Sequence, residues 1–114
     1  KNVQIVSVYD PLSIDTEINK AHNPDQIIEN QEIDAVYICT PNYLNKPLTI
    51  QSLQAGKHVF CEKPPAFTAK DVKEIRAVEK ESGRVLMYGF NHRHHGSIKH
   101  MKKLVDEKAF GNVL

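Results

Sequence analysis

Glu62 and Lys63 stand side by side in the stretch CEKPP, residues 61–65, between an apolar run and two prolines. A lysine ammonium can hand over a proton or stabilise an oxygen on which negative charge develops, and lysine suits this work because its pKa falls when it is desolvated. Pro64 and Pro65 restrict the backbone after Lys63 and disfavour helix at the residues before them, which would hold the lysine in a fixed direction. From the dipeptide alone, the ordinary reading is a solvated Glu–Lys pair in a loop. His92, His94 and His95 raise a metal hypothesis, since imidazoles bind zinc. No cysteine or carboxylate joins them at ligand spacing, so no metal site is expected.

These residues are positioned by apolar runs that alternate with helical patterns. Val3 to Tyr9 (VQIVSVY) is rich in β-branched residues and stops at Asp10-Pro11, which predicts a buried strand. Asn23-Pro24 followed by DQIIENQ predicts an N-cap, a first-turn proline and a short helix. Ala35 to Cys39 is a second strand, closed by Thr40-Pro41-Asn42. A helix from about Lys46 to Ala55 follows it, stopped by Gly56. His58 to Cys61 is a third strand. Thr68, with Asp71 three residues on, imitates a capping box and opens a helix with Val72, Ile75 and Val78 on one face, ended by Gly83. Val85 to Phe90 is a fourth strand. Ile98, Met101, Leu104 and Val105 mark an amphipathic helix ending near Phe110-Gly111, and Asn112 to Leu114 would begin another strand.

Strands and helices in this alternation imply βαβ units, a parallel sheet and a doubly wound α/β layer. Ligands of such sheets bind outside the carboxyl ends of the strands. Each predicted strand ends in something polar: Asp10, then Thr40-Pro41-Asn42, then Glu62-Lys63-Pro64, then Asn91-His92-Arg93. One rim would therefore carry all four sets.

The bulk properties limit what that rim can meet. A chain of 114 residues is one domain's worth of material. Fifteen basic residues nearly cancel fourteen acidic ones, so no strong single-sign field draws in nucleic acid or an anionic membrane. No apolar stretch approaches the ~20 residues of a membrane helix, and no signal-like segment opens the chain. Cys39 and Cys61 lie in strand-like runs and read as buried free thiols. The expectation is a soluble, cytoplasmic protein with small-molecule or protein partners.

In order along the chain, VSVYDP, IDAVYICTPNYLNKP, LQAGKHVFCEKP, SGRVLMYGFNHR and KLVDEKAFGNVL resemble the Gfo/Idh/MocA oxidoreductases, which include glucose-fructose oxidoreductase and inositol dehydrogenase. The most specific of these stretches is AGKHVFCEKP. The resemblance implies an NAD(P)-dependent enzyme with an N-terminal Rossmann domain and a C-terminal substrate domain. Such an enzyme moves hydride between the cofactor and a hydroxyl or ketone of a sugar, cyclitol or sugar nucleotide. It implies that Asp10 accepts hydrogen bonds from the adenosine ribose and favours NAD over NADP; the competing reading is a turn aspartate before Pro11. Thr40, Pro41 and Asn42 would line the diphosphate and ribose, with Leu44 packed nearby. Glu62 would hold the nicotinamide ribose and Lys63 would act at the substrate alcohol as the catalytic residue. Asn91 and Arg93 would lie at the nicotinamide end. Where many relatives have histidine in the TPN-x-x-H stretch this chain has Asn45, so a titratable role there is lost.

The chain also departs from the family pattern. The glycine-rich turn G-x-G-x-x-G/A that receives the pyrophosphate is not found in it. The sequence reads as starting at the second Rossmann strand, and Asp10 to Asp34 looks too short for a helix plus a third strand. Residues 1–110 are then an incomplete NAD(P)-binding Rossmann domain lacking its first βα unit, and residues 111–114 the start of a truncated substrate domain. A fragment of this kind would be inactive by itself. Its exposed strand edges predict self-association into a homo-oligomer. The rival reading is a non-catalytic nucleotide-sensing or oligomerisation module of Rossmann shape.

Overall fold

The computed structural model describes residues 3–112. Their elements run α1 (Pro24–Glu29), β1 (Ala35–Ile38), α2 (Asn42–Gln54), β2 (His58–Cys61), α3 (Ala69–Ser82), β3 (Leu86–Tyr88), a 3-10 turn (Asn91–His94) and α4 (Gly96–Asp106). The strands form one parallel sheet in the order β1-β2-β3. Ile38 pairs with Cys61 and Cys61 with Tyr88, so the three strands finish level with one another. The α/β, Rossmann-like class expected from the sequence is the class observed.

Side chains alternate across a strand, and the burial alternates with them. Ile38, Val59 and Cys61 are buried on one face, with Val36, Leu86 and Tyr88 packed beside them. Leu48 and Leu53 of α2 and Val78 of α3 close over this face. Each aliphatic side chain sunk here contributes roughly 1.5–3 kcal/mol relative to exposure. On the opposite face Tyr37 stacks on Phe60, with ring centroids 4.5 Å apart, and Met87 follows in register. Tyr37 is 63% exposed and Met87 49%, so this face is open. Half of the expected double winding is therefore present among the described residues: α2 and α3 cover one side.

The local signals account for most helix ends. Asn23 caps α1, its side chain accepting from Gln26 N at 3.0 Å, and Pro24 follows. Thr68 Oγ1 accepts from Asp71 N at 3.1 Å and donates to the Asp71 carboxylate at 2.6 Å. Gly83 ends α3 with φ 64°, the left-handed turn that glycine adopts without Cβ strain. Lys46 of α2 reaches Asp71 and Glu74 of α3, each at 2.5 Å, and ties the two helices together. Hydrogen bonds from Lys46 and Thr68 hold the Asp71 carboxyl below its usual range, while the paired carboxylates push the Lys46 ammonium up.

Several expectations are corrected, among them the buried state expected of Cys39, which is exposed just after β1. Val3 to Tyr9 is not a buried strand: Val3 is 92% exposed and Ile5 66%, and pairing is limited to one parallel bridge between Val8 and Lys20. A β-branched run favours extended backbone, but a strand needs neighbours to bond with, and the described residues give it only that bridge and a bond from Ser7 Oγ to Asn19 O at 3.0 Å. The same bridge places a trace of strand pairing at Lys20, in the interval that read as too short for one. Helix α2 starts at Asn42, four residues before the expected Lys46, with Leu44 N donating to Pro41 O at 2.8 Å. Val72 is 42% exposed, because α3 turns Ile75 and Val78 inward and leaves Val72 at the margin. Helix α4 forms, but it packs on the 3-10 turn and ends at Asp106, and Met101 and Val105 on its apolar side are exposed. Of the strand expected at Asn112 to Leu114, residues 113–114 lie outside the described residues.

Candidate functional site

Because β1, β2 and β3 are parallel and end in register, Thr40, Glu62-Lys63 and Asn91-Arg93 all leave the sheet on the same rim. The Glu62 backbone still belongs to the ladder, its N–H donating to Ile38 O at 2.9 Å, while Gly89 N donates to Cys61 O at 3.0 Å. Beyond Gly89 the chain turns sharply. Phe90 N donates to Tyr88 O at 2.8 Å and Arg93 N to Phe90 O at 3.2 Å, which folds Asn91–His94 beside the end of β3. Lys63, Gly89, Phe90, Asn91, His92, Arg93 and Ile98 line one open hollow of about 720 Å³. Three of the predicted site residues, Lys63, Asn91 and Arg93, thus share a single concavity.

Glu62 lies against the floor of this rim. Its carboxylate accepts from Lys63 N at 3.2 Å and presses on Gly89, where a Cβ would stand 2.8–2.9 Å from the carboxylate atoms. Gly89 is buried, and its missing side chain is what admits Glu62. The Lys63–Pro64 peptide is cis. Lys63 itself is exposed, at the mouth of the hollow.

On the neighbouring loop Thr40 is half-buried, Pro41 and Asn42 are exposed, and Leu44 is half-buried in the first turn of α2. Thr40 Oγ1 donates to Asn45 Oδ1 at 3.3 Å. Asn45 is completely buried, and its Nδ2 donates to Glu62 O at 3.1 Å and Pro64 O at 2.9 Å. Asp10 stands apart: it follows Val8, outside the three-stranded sheet, and its Oδ1 accepts from Leu12 N at 2.8 Å. That is the turn geometry the sequence also allowed. His92 and His95 stack with ring centroids 5.9 Å apart. No group of three metal-ligating side chains occurs among the described residues.

Sequence reasoning missed Gly89 and Asn45. A glycine at the end of a strand signals close approach of another group, so Gly89 was findable. In the sequence Asn45 stands out only by the histidine it replaces. Its two acceptors are 17 and 19 residues away, and nothing local announces them.

A parallel sheet with α2 and α3 on one face and polar residues gathered at its carboxyl rim defines a nucleotide-binding α/β domain of Rossmann type. The chain belongs to the Gfo/Idh/MocA oxidoreductase family, NAD-binding Rossmann fold, whose profile matches residues 2–90. Among solved structures, an NAD-binding protein from Listeria innocua superposes with a TM-score of 0.85 at 30% identity, over 98% of this chain and 35% of that one. A levoglucosan dehydrogenase in complex with NADH and levoglucosan gives a TM-score of 0.76 at 35% identity, over 84% of this chain and 26% of that one. Among curated relatives, 2,7-anhydro-N-acetylneuraminate hydratase of Escherichia coli is 30% identical over 118 residues, covering 99% of this chain and 32% of the relative. The chain spans about a third of the length of the first curated relatives it matches. No helix among the described residues is long and apolar enough to cross a membrane.

Proposed function

We propose that the protein containing this chain is an NAD(P)-dependent oxidoreductase that moves hydride between a nicotinamide cofactor and a hydroxyl or ketone of a sugar, cyclitol or sugar nucleotide. The observation that carries the reading is the shared hollow of Lys63, Asn91 and Arg93 at the carboxyl rim, with Glu62 seated beside it over Gly89. Family membership and the NADH-bound relative support the cofactor.

The residues present fit such a cofactor. The Glu62 carboxylate sits in a cradle that a side chain at position 89 would fill, and a carboxylate there accepts hydrogen bonds from ribose hydroxyls. Thr40, Pro41, Asn42 and Leu44 form the adjoining wall for diphosphate and ribose. Asp10, exposed in its turn, offers a carboxylate to the adenosine ribose and favours NAD. Asn91 and Arg93 border the nicotinamide end. When bound, nicotinamide supplies the hydride acceptor or donor. Lys63 does the proton work: in reduction its ammonium donates a proton to the oxygen as the carbonyl carbon receives hydride, and in oxidation the neutral amine accepts the hydroxyl proton as the C–H bond breaks. The rim of β1 and the open Tyr37–Phe60–Met87 face support assembly as a homo-oligomer, and the two free thiols suit a reducing, cytoplasmic setting.

The test is Lys63→Ala in the full-length protein, with hydride transfer followed by nicotinamide absorbance and NADH binding by calorimetry. The expected result is a loss of about 10²–10⁴-fold in turnover with dinucleotide affinity largely kept. Unchanged turnover with any polyol or sugar substrate would remove the catalytic assignment.

A further inference from the structure

From the contacts of its buried amide, we infer that Asn45 is the positioning residue for Lys63. The inference rests on the functional reading above and goes beyond it. The Asn45 amide lies wholly inside the protein, at the point where three segments meet. Its Nδ2 offers two N–H donors, and both are used: one on Glu62 O, 3.1 Å away, and one on Pro64 O, 2.9 Å away. Those are the carbonyls immediately before and after Lys63. The Oδ1 acceptor takes the Thr40 hydroxyl at 3.3 Å. One side chain therefore brackets the lysine backbone and joins it to the loop that follows β1.

The consequence is mechanical. Lys63 has an exposed, flexible side chain, so its reach is set by where its Cα is held. Asn45 is carried by α2, which is packed on the sheet through Leu48 and Leu53 and tied to α3 through the neighbouring Lys46. The position of the ammonium is thus referred to the rigid core and not to the loop. Only an amide or a similar double donor can serve two carbonyls at once; a carboxylate facing them is repelled, and an imidazole supplies one N–H to the pair. Because the amide does not titrate, the bracket keeps the same strength across the pH range in which lysine chemistry runs.

The experiment uses the full-length protein with Asn45→Ala, Asn45→Asp, Asn45→His, Lys63→Ala and the Lys63→Ala/Asn45→Ala double variant. Measured are kcat, NADH affinity, the primary isotope effect with deuterated NADH, and the pH profile. Displacing a reacting group by about 1 Å costs about 10²-fold in rate. Asn45→Ala should therefore lower kcat about that much, raise the isotope effect toward its full value, and leave NADH affinity within about threefold. Asn45→Asp should recover activity relative to the parent as the pH falls and its carboxyl gains a proton to donate. Asn45→His should recover part of kcat. Asn45→Ala should cost nothing further once Lys63 is alanine.

If Lys63→Ala abolishes turnover while the folded Asn45 variants keep the parent kcat and isotope effect, the positioning role is overturned and the functional reading stands. If Lys63→Ala leaves turnover intact, the catalytic assignment of Lys63 has failed and the inference with it. Should Asn45→Ala not fold, the Asp and His variants decide: the same kcat at every pH in both would overturn the role.

Discussion

Gly89→Ala isolates the seat of Glu62 from the rest of the fold. Gly89 has no left-handed backbone, so alanine there adds no conformational strain, and its N–H can still reach Cys61 O. The added Cβ would lie 2.8 Å from Glu62 Oε2 and 2.9 Å from both the carboxyl carbon and Oε1. Ordinary contact begins near 3.4 Å, so the carboxylate must retreat by roughly 0.6 Å, the difference between 3.4 and 2.8. It can do so at small cost, being the far end of a flexible side chain. Stability should fall by less than about 1 kcal/mol, within the ordinary range for point variants. Cofactor binding should suffer more, since a hydrogen bond to a charged group is worth about 1.5–3 kcal/mol. In dissociation constant that is about 10- to 150-fold, at about 1.4 kcal/mol per decade. The assay is calorimetric titration of NADH into full-length parent, Gly89→Ala, Glu62→Ala and the double variant. Because the alanine acts through the carboxylate, the double variant should bind no more weakly than Glu62→Ala alone. Unaltered NADH affinity in Gly89→Ala, or penalties that simply add in the double variant, would refute the reasoning.

Two further outcomes follow from side chains already described. Cys61 is wholly buried and its thiol is pushed up by burial, whereas Cys39 is exposed, so a disulfide reagent at neutral pH should titrate one thiol per chain quickly and the second only on unfolding; equal rates for both thiols would contradict the packing of β2. The Asp71 carboxyl is held below its ordinary value of 3.8, so the stabilisation from its bonds to Lys46 and Thr68 is full above that value and is lost as pH falls through the lower folded one. The melting-temperature gap between the parent and Lys46→Met should therefore be constant above about pH 5 and close in strong acid; a gap that persists unchanged to about pH 2 would exclude the pairing as its source.

Where the sequence was legible, the cause of the structure was local. Asn23-Pro24, Thr68 with Asp71, and Gly83 each set a helix end through bonds spanning a few residues. The cores of β1, β2 and β3 were readable as apolar runs between turn residues. The strand ends, and with them the rim that collects Thr40, Glu62-Lys63 and Asn91-Arg93, then followed from the parallel rule. Val3 to Tyr9 was misread because β-branched composition reports a preference for extended backbone but not the presence of a neighbour to bond with. The start of α2 was hidden because Pro41-Asn42 is also a turn signal and Pro47 sits inside the helix, where proline is rarely expected. Asn45 and the Gly89–Glu62 contact join residues 17 to 27 positions apart, and pairings of that span are made by the packed sheet rather than by any local pattern.

The contact between positions 62 and 89 also constrains how this surface can change over time. A glutamate of full length fits best against a bare backbone, so bulk added at 89 displaces its carboxylate unless the acid has also shortened, as in Glu62→Asp. The position of the carboxylate therefore depends on both sites together. Under the cofactor role proposed for Glu62, lineages that alter one alone would lose dinucleotide affinity before they lose their shape.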